Sequence, residues 1–294
     1  MGVAFVEKHI FYLQEKLKEG IASKIEILPD CATLIIKIAN NKTIKLNIND
    51  INHTVSNTIL ERGYYEKCET EMMYEIISYL PENSVLFDIG ANTGYYSLCY
   101  KTWFPDADVY SFEPLPDIYI TLFDNVQLNF GSDTKGIIIN NYGFFDKEQV
   151  IEFYYNDKEG GASSIKNIRE IDEAKKVKCS VTTLDSFVEK NKLQIDFIKC
   201  DVEGAELFVF KGGIQTLKDS KPVIFTEMLR KWSALFNYHP NDIISLLSDI
   251  GYKCFVIKDM CLSPFITVTG ETVETNYIFI HSSKLELFKE LIIS

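Results

Sequence analysis

The 294-residue chain is 46% hydrophobic and 24% charged, a globular composition that excludes wholesale disorder and can fill a sizeable core without disulfides. A formal net charge of -12 disfavours DNA, RNA or an acidic membrane surface as the main partner. Lysines cluster at Lys175-Lys176 with Lys178, which read as a solvated loop.

The seven cysteines (Cys31, Cys68, Cys99, Cys179, Cys200, Cys254 and Cys261) include no CxxC pair. An odd number of thiols inside apolar runs fits free cysteines in a reducing cytosol better than a disulfide framework or a zinc site. No metal ligation is therefore expected. Apolar runs fall short of the ~20 residues of a membrane span. Residues 1–20 mix Glu7, Lys8, Glu15, Lys16 and Lys18 with apolar positions, the pattern of an amphipathic helix and not of a cleavable signal. The expected location is the cytoplasm.

After that helix, Ile25 to Ile27, Thr33 to Ile38 and Thr43 to Ile48 are β-rich, with Asn40-Asn41 as a turn, and predict a small hairpin layer. Thr70 to Tyr79 predicts a helix closed by Pro81. Strand and helix then alternate: strand Val85–Ile89, helix Tyr95–Trp103, strand Val109–Phe112, a helix from Pro116 to Asn129 and strand Ile137–Ile139. A longer excursion carries a β-like stretch, Val150 to Tyr155, and the small-residue loop Gly160 to Ser164, either a cover for an acceptor site or a surface loop. Strand Asp196–Cys200, helix Glu206–Leu217, strand Pro222–Thr226 and helix Asp242–Ile250 follow, the last stopped by Gly251. Tyr252–Lys258 and Tyr277–His281 end the chain as strands, joined without a helix and so expected to pair antiparallel at one edge. Such alternation indicates an α/β fold with a largely parallel sheet covered on both faces.

Ligands of such sheets bind beyond the carboxyl ends of the strands, near the point where strand order reverses. The first strand runs into Asp88-Ile89-Gly90-Ala91-Asn92-Thr93-Gly94, a glycine turn opening a helix. Asn92 stands where a dinucleotide fingerprint has its middle glycine, which disfavours a pyrophosphate and suits an amino-acid-like group. Glu113 ends the next strand, 25 residues after Asp88, near the offset at which a carboxylate meets a ribose diol. These residues indicate a nucleoside cofactor and leave the reaction open, since NAD fits the offset too.

Asp88 to Ser97 resembles the first motif of FkbM-type methyltransferases, and Phe112-Glu113-Pro114 their second. Thr183 to Phe187, then Asp196 to Glu206, is similar to the family's most specific stretch, and Gly212-Gly213 and Pro222 to Glu227 follow in order. The resemblance spans about Gly63 to His281. It implies a Rossmann-like class I methyltransferase fold with a mostly parallel seven-stranded sheet. It also implies S-adenosylmethionine as the methyl donor. Residues 63–294 would form the methyltransferase domain and residues 1–62 a helix and β-hairpin extension. By the same resemblance, Gly90, Asn92 and Gly94 face the methionine part of the cofactor and Asp88 orders that loop. Glu113 holds the ribose, and Asn141 neighbours the adenine.

The implied reaction is transfer of a methyl group to a hydroxyl of a carbohydrate, glycolipid head group or secondary metabolite. The expected acceptor is a small molecule or glycan, not a nucleic acid. Asp201, at the carboxyl end of the fourth strand, is the candidate for orienting or deprotonating the acceptor. Glu227 assists from the next strand end, and Lys199 completes the catalytic candidates. Glu203 and Glu206 open a helix, where the dipole favours carboxylates whatever their chemistry. Trp232 and Phe236 read as core packing or as stacking faces, and His239 as a base or a structural turn. An NAD-dependent oxidoreductase and a non-catalytic cofactor-binding scaffold are the competing functions, and self-association stays open.

Overall fold

A computed structural model describes residues 20–28, 31–48, 54–132, 134, 136–155 and 175–293. The expected helix over residues 1–20, save its last residue Gly20, and the loop Gly160 to Ser164 lie outside the described residues.

Strands β1 (Ala22–Leu28), β2 (Cys31–Lys37) and β3 (Thr43–Asn47) form an antiparallel sheet in sequence order. Asn40 and Asn41 take φ of 60° and 54° in the connecting turn, a left-handed conformation their short side chains tolerate. Alternation turns Leu34, Ile36, Ile44 and Leu46 inward, each fully buried. Helices α1 (Thr54–Arg62) and α2 (Lys67–Ser78) lead to the main sheet.

Strands β4 (Val85–Ile89), β5 (Asp108–Phe112) and β6 (Ile137–Asn140) alternate with helices α3 (Tyr95–Trp103) and α4 (Pro116–Phe130). The N-terminal layer sits on these two helices. Asn47 N–H donates to Asn125 Oδ1 at 2.7 Å, and Trp103 Nε1 donates to the Ala39 carbonyl at 3.2 Å. The layer's apolar face, Tyr100, Trp103, Leu122 and Val126 therefore share one continuous core.

The chain next forms β7 (Gly143–Phe144), β8 (Gln149–Tyr155) and β9 (Lys175–Thr182), a separate sheet in the order β7-β9-β8. The lysine cluster lies on β9 and not in a loop. Exposed residues alternate there with buried Cys179 and Val181, and Lys176 pairs with Glu152 at 3.7 Å. Helix α5 (Leu184–Asn191) returns the chain to β10 (Phe197–Cys200).

The expected helix from Glu206 to Leu217 is two helices, α6 (Glu206–Lys211) and α7 (Ile214–Ser220). Gly212 and Gly213 lie between them, and position 212 has no room for a side chain, since a Cβ there would stand 2.1 Å from the Phe145 carbonyl oxygen. Strand β11 (Val223–Glu227), helices α8 (Arg230–Leu235) and α9 (Pro240–Ser248), and strands β12 (Tyr252–Lys258), β13 (Cys261–Phe265) and β14 (Asn276–His281) complete the fold.

The main sheet has eight strands, ordered β13-β12-β14-β11-β10-β4-β5-β6. From β6 to β11 they are parallel, whereas β14 is antiparallel to β11 and β12, and β13 to β12. The antiparallel pairing of β12 and β14 is as expected. The count of seven is corrected by β13, an edge strand carrying Pro264, where a missing donor is tolerated. Its hairpin turn places Asp259 and Met260 at φ of 50° and 58° with no glycine to signal it. Strand order reverses between β4 and β10, so the carboxyl ends of these two strands mark the ligand crevice.

Candidate active site

The turn after β4 is built by close backbone approach. Gly90 has φ of 77°, and a Cβ there would stand 1.9 Å from the Asp201 carbonyl oxygen. Gly90 N–H donates to the Phe112 carbonyl at 3.1 Å, and Asp201 N–H to the Ile89 carbonyl at 3.1 Å. The ends of β4, β5 and β10 are thereby locked together, which brings Asp88, Gly90, Lys199 and Asp201 to one place. Gly94, at φ of 90°, lets the start of α3 rest against Leu122.

Asp88 is fully buried. Ser97 Oγ donates to its Oδ2 at 2.6 Å, and Ser111 Oγ donates to Ser97 Oγ at 2.7 Å. Its Oδ1 has no hydrogen-bond partner among the described residues but faces Lys199 Nζ at 3.7 Å. Burial raises the Asp88 pKa, and Lys199 and Ser97 oppose that rise. The sequence singled out no partner for Asp88; Ser97 is that partner, and its only signal is its place in the helix after the glycine turn.

Lys199 is buried and central. Its Nζ donates to the Gly90 carbonyl at 3.2 Å and to Asp201 Oδ2 at 3.3 Å, and lies 5.3 Å from the centre of the Tyr96 ring. Burial opposes its charge, but Asp201, Asp88 and Glu66 outweigh that and hold it protonated well above the ordinary lysine range. The ammonium is a fixed cation that positions its partners, and it offers no lone pair for base chemistry.

Glu113 is buried at the end of β5. Its Oε2 accepts the Asn92 N–H at 3.1 Å and its Oε1 accepts the Leu115 N–H at 2.9 Å. Burial pushes its pKa up to about 7 against these two bonds. Each oxygen keeps lone-pair capacity, so the group can brace the glycine turn and accept from two vicinal hydroxyls. Asn92 sits at φ of 51°, and its Oδ1 accepts the Thr93 N–H at 2.7 Å. Asn141 Nδ2 donates to the carbonyls of Glu113 and Pro114 at 2.9 and 3.1 Å, which leaves its Oδ1 as an acceptor.

Around Asp201 the other carboxyls divide by environment. Glu206 Oε1 accepts the N–H groups of Val202 and Gly204 at 3.0 and 3.1 Å, and Oε2 accepts the Tyr238 hydroxyl at 3.2 Å. It fastens the loop after β10. Glu203 lies in that loop at φ of 53°. Glu227, at the end of β11, is pushed up to about 10 by burial and then by the charges of Asp201, Glu203, Glu206 and Glu66. Its carboxyl is thereby biased toward the protonated form, which has a hydrogen to donate. Glu66, which no sequence signal singles out, joins this group through the Tyr96 hydroxyl.

His239 caps α9: its Nδ1 accepts the Asn241 N–H at 3.2 Å, and Asp242 Oδ2 accepts the His239 N–H at 2.8 Å. That is the structural turn and not a base. Phe236 is buried against Gly204 and Phe208, which is core packing, while Trp232 is half-buried beneath Lys231. Among the described residues, no group of three or more His, Cys, Asp or Glu side chains could hold a metal ion, and no helix is long and apolar enough to cross a membrane.

The sheet order and a site at its reversal define a class I methyltransferase-like α/β protein. The sequence model of the Methyltransferase FkbM domain matches residues 88–254, more than half of the chain, and the chain belongs to that family. Methyltransferase sdnD of Sordaria araneosa is 30% identical over 177 residues, covering 50% of this chain and 67% of that protein. Hexuronic acid methyltransferase AglP of Haloferax volcanii is 25% identical over 191 residues, covering 65% of this chain and 72% of that protein. The crystal structure of methyltransferase FkbM from Methylobacillus flagellatus aligns at 15% identity and a TM-score of 0.45, covering 94% of this chain and 60% of that one. The protein is a methyltransferase, and its family implies S-adenosylmethionine as donor.

Proposed function

We propose that the protein transfers the methyl group of S-adenosylmethionine to a hydroxyl oxygen of a carbohydrate, glycolipid head group or secondary metabolite. The observation that carries this reading is the joining of two sites at one strand reversal. Glu113 can accept a diol beside the glycine turn, and the Lys199–Asp201 pair stands at the adjoining end of β10. The relative in Haloferax volcanii acts, by its name, on a hexuronic acid, which supports a sugar acceptor.

The residues present fit the donor. An acidic set suits a ligand bearing sulfonium and ammonium charges, and Asn92 in place of a glycine suits no pyrophosphate. Glu113 would hold the ribose. Gly90, Asn92 and Gly94 would border the methionine part, with Asp88 ordering that turn through Ser97. The acceptor oxygen of Asn141 matches the amino group of adenine. When bound, the donor supplies an electrophilic methyl group. Asp201, fixed by Lys199, orients the acceptor hydroxyl, and protonated Glu227 donates a further hydrogen bond. In-line alignment of this kind supplies much of the acceleration in a displacement reaction. Residues 63–294 form the catalytic domain in this reading, with 1–62 an extension that can support self-association.

Calorimetric titration with S-adenosylmethionine, S-adenosylhomocysteine and NADH tests the reading. The first two should bind, and Glu113→Ala should weaken both by about 100-fold or more, because charge-assisted hydrogen bonds contribute roughly 1.5–3 kcal/mol each. Binding of NADH alone would replace methyl transfer with an oxidoreductase. Asp201→Asn should lower kcat on a panel of methyl glucoside, glucuronic acid and catechol by about 100-fold, the scale of a misplaced reactant. Wild-type turnover at unchanged stability would remove Asp201 from the mechanism.

A further inference from the structure

The carboxyls at this site are not equivalent. Glu113 and Glu206 have both oxygens engaged, largely by backbone N–H groups, Asp201 is ion-paired with Lys199, and burial and nearby carboxylates push Glu227 toward its protonated form. Glu66 differs from all of them. It is half-buried, and the hydroxyl of Tyr96 donates to its Oε2, while its Oε1 accepts no hydrogen bond among the described residues. Its backbone has φ of 39°, immediately before α2, a conformation that is sterically costly for a residue with a Cβ and that clusters at functional sites.

One side-chain hydrogen bond, from Tyr96, holds Glu66, and charges from several elements act on it. Tyr96 comes from the first turn of α3, directly after the glycine turn, and its ring carries the Lys199 ammonium. Lys199 acts on Glu66 from β10, Asp201 from the residue directly after that strand, and Glu69 from the first turn of α2. Glu227 on β11 feels the Glu66 charge, as do the phenols of Tyr65, Tyr95 and Tyr96.

We propose that Glu66 is a catalytic residue, the proton acceptor for the substrate hydroxyl, held toward the Asp201–Glu227 rim by Tyr96. This rests on the methyl-transfer reading above. As the O–CH3 bond forms and the S–CH3 bond breaks, the electron pair of the broken bond stays on sulfur and the hydroxyl proton passes to Oε1 of Glu66. A sulfonium and a carboxylate become a thioether and a carboxylic acid, so charge and atoms balance. Burial and the Asp201 charge push Glu66 up to about 7, against the Tyr96 hydrogen bond and Lys199. A base with its pKa near the working pH is the efficient one.

Two measurements test the role. In turnover, Glu66→Gln keeps the shape and the bond from Tyr96, and should lower kcat by about 10²–10⁴-fold, the usual contribution of a positioned base. The rise of wild-type kcat/KM with pH through about 7 should vanish in it, and S-adenosylhomocysteine affinity should stay within about threefold. Glu66→Asp retains a carboxylate and should recover part of the rate together with the acid limb. In the cofactor-free protein, 13C NMR of the Glu66 carboxyl should show a midpoint near 7, lowered by Asp201→Asn and raised by Tyr96→Phe. Wild-type kcat with an unchanged acid limb in Glu66→Gln overturns the proposal. An ordinary carboxylate midpoint overturns it whichever acceptor is used. Failure of the wild type to bind either adenosyl ligand would instead overturn the methyl-transfer reading itself.

Discussion

Replacing Lys199 by methionine is expected to destabilise the fold by about 3–5 kcal/mol, the usual result of removing one partner of a buried ion pair. Lys199 has a side chain 5% exposed and stands 3.7 Å from Asp88, whose side chain is 0% exposed. Methionine matches the length of the stem, so little packing is lost and the effect is electrostatic. Without the ammonium, Asp88 keeps only the hydrogen bond from Ser97, and its already raised pKa rises further. A carboxyl whose folded pKa exceeds its unfolded one makes the native state bind more protons, so stability falls as pH rises between the two values. The loss in Lys199→Met should therefore be smaller at pH 5 than at pH 8. The wild type carries the same sign of slope through Glu66, Glu113 and Glu206, each raised to about 7 from a reference of 4.5. The contribution of Lys199 itself, with its pKa raised, is fully present below the ordinary lysine pKa and is lost only at strongly alkaline pH. Urea unfolding at the two pH values measures the difference. A variant as stable as the wild type at pH 8 would show that the Asp88–Lys199–Asp201 cluster is not a structural hub.

The second large effect is at Gly90. Gly90→Ala should lower stability by about 3 kcal/mol or more, combining roughly 1–2 kcal/mol for left-handed backbone with the 1–3 kcal/mol of an overpacked interior. The atom it would strike, at 1.9 Å, is the backbone oxygen of Asp201, which cannot rotate away as a side chain would. The carboxyl ends of β4 and β10 must then separate. That breaks the contact of Lys199 Nζ with the Gly90 carbonyl and displaces Asp201 from the rim. Adenosyl-ligand binding should fall with stability, and urea unfolding followed by calorimetry separates the two losses. A variant within about 1 kcal/mol of the wild type would mean that the strand ends can shift, contrary to the stiffness of packed interiors.

Much of this site was legible in the chain. Asp88, Gly90 and Glu113 stand at strand ends because continuous apolar runs announce buried parallel strands and glycine announces the turn that follows. The ordered motifs named the family before any geometry was known, and the match over residues 88–254 agrees. What stayed hidden had no periodic signature. The turn at Asp259-Met260 contains no glycine, so the hairpin that adds β13 left no mark. The lysines of β9 looked like solvated loop because every second residue of a half-buried strand is polar. The same polarity says nothing of Glu66, one charged residue ahead of a helix.

The sequence by itself determined the strand–helix alternation, the glycine turn, the placing of acidic residues at strand ends and the family. Backbone sterics and the burial of apolar faces set these features within a few residues of one another. The tertiary structure alone decided which charges meet. Glu66 and Tyr96 are 30 positions apart, and Lys199 and Gly90 are 109 apart. Such pairs exist only because β10 inserts beside β4 and brings distant carboxyls and one ammonium into a shared, largely buried space. In that space electrostatic interactions strengthen, and each carboxyl takes the protonation state its neighbours impose.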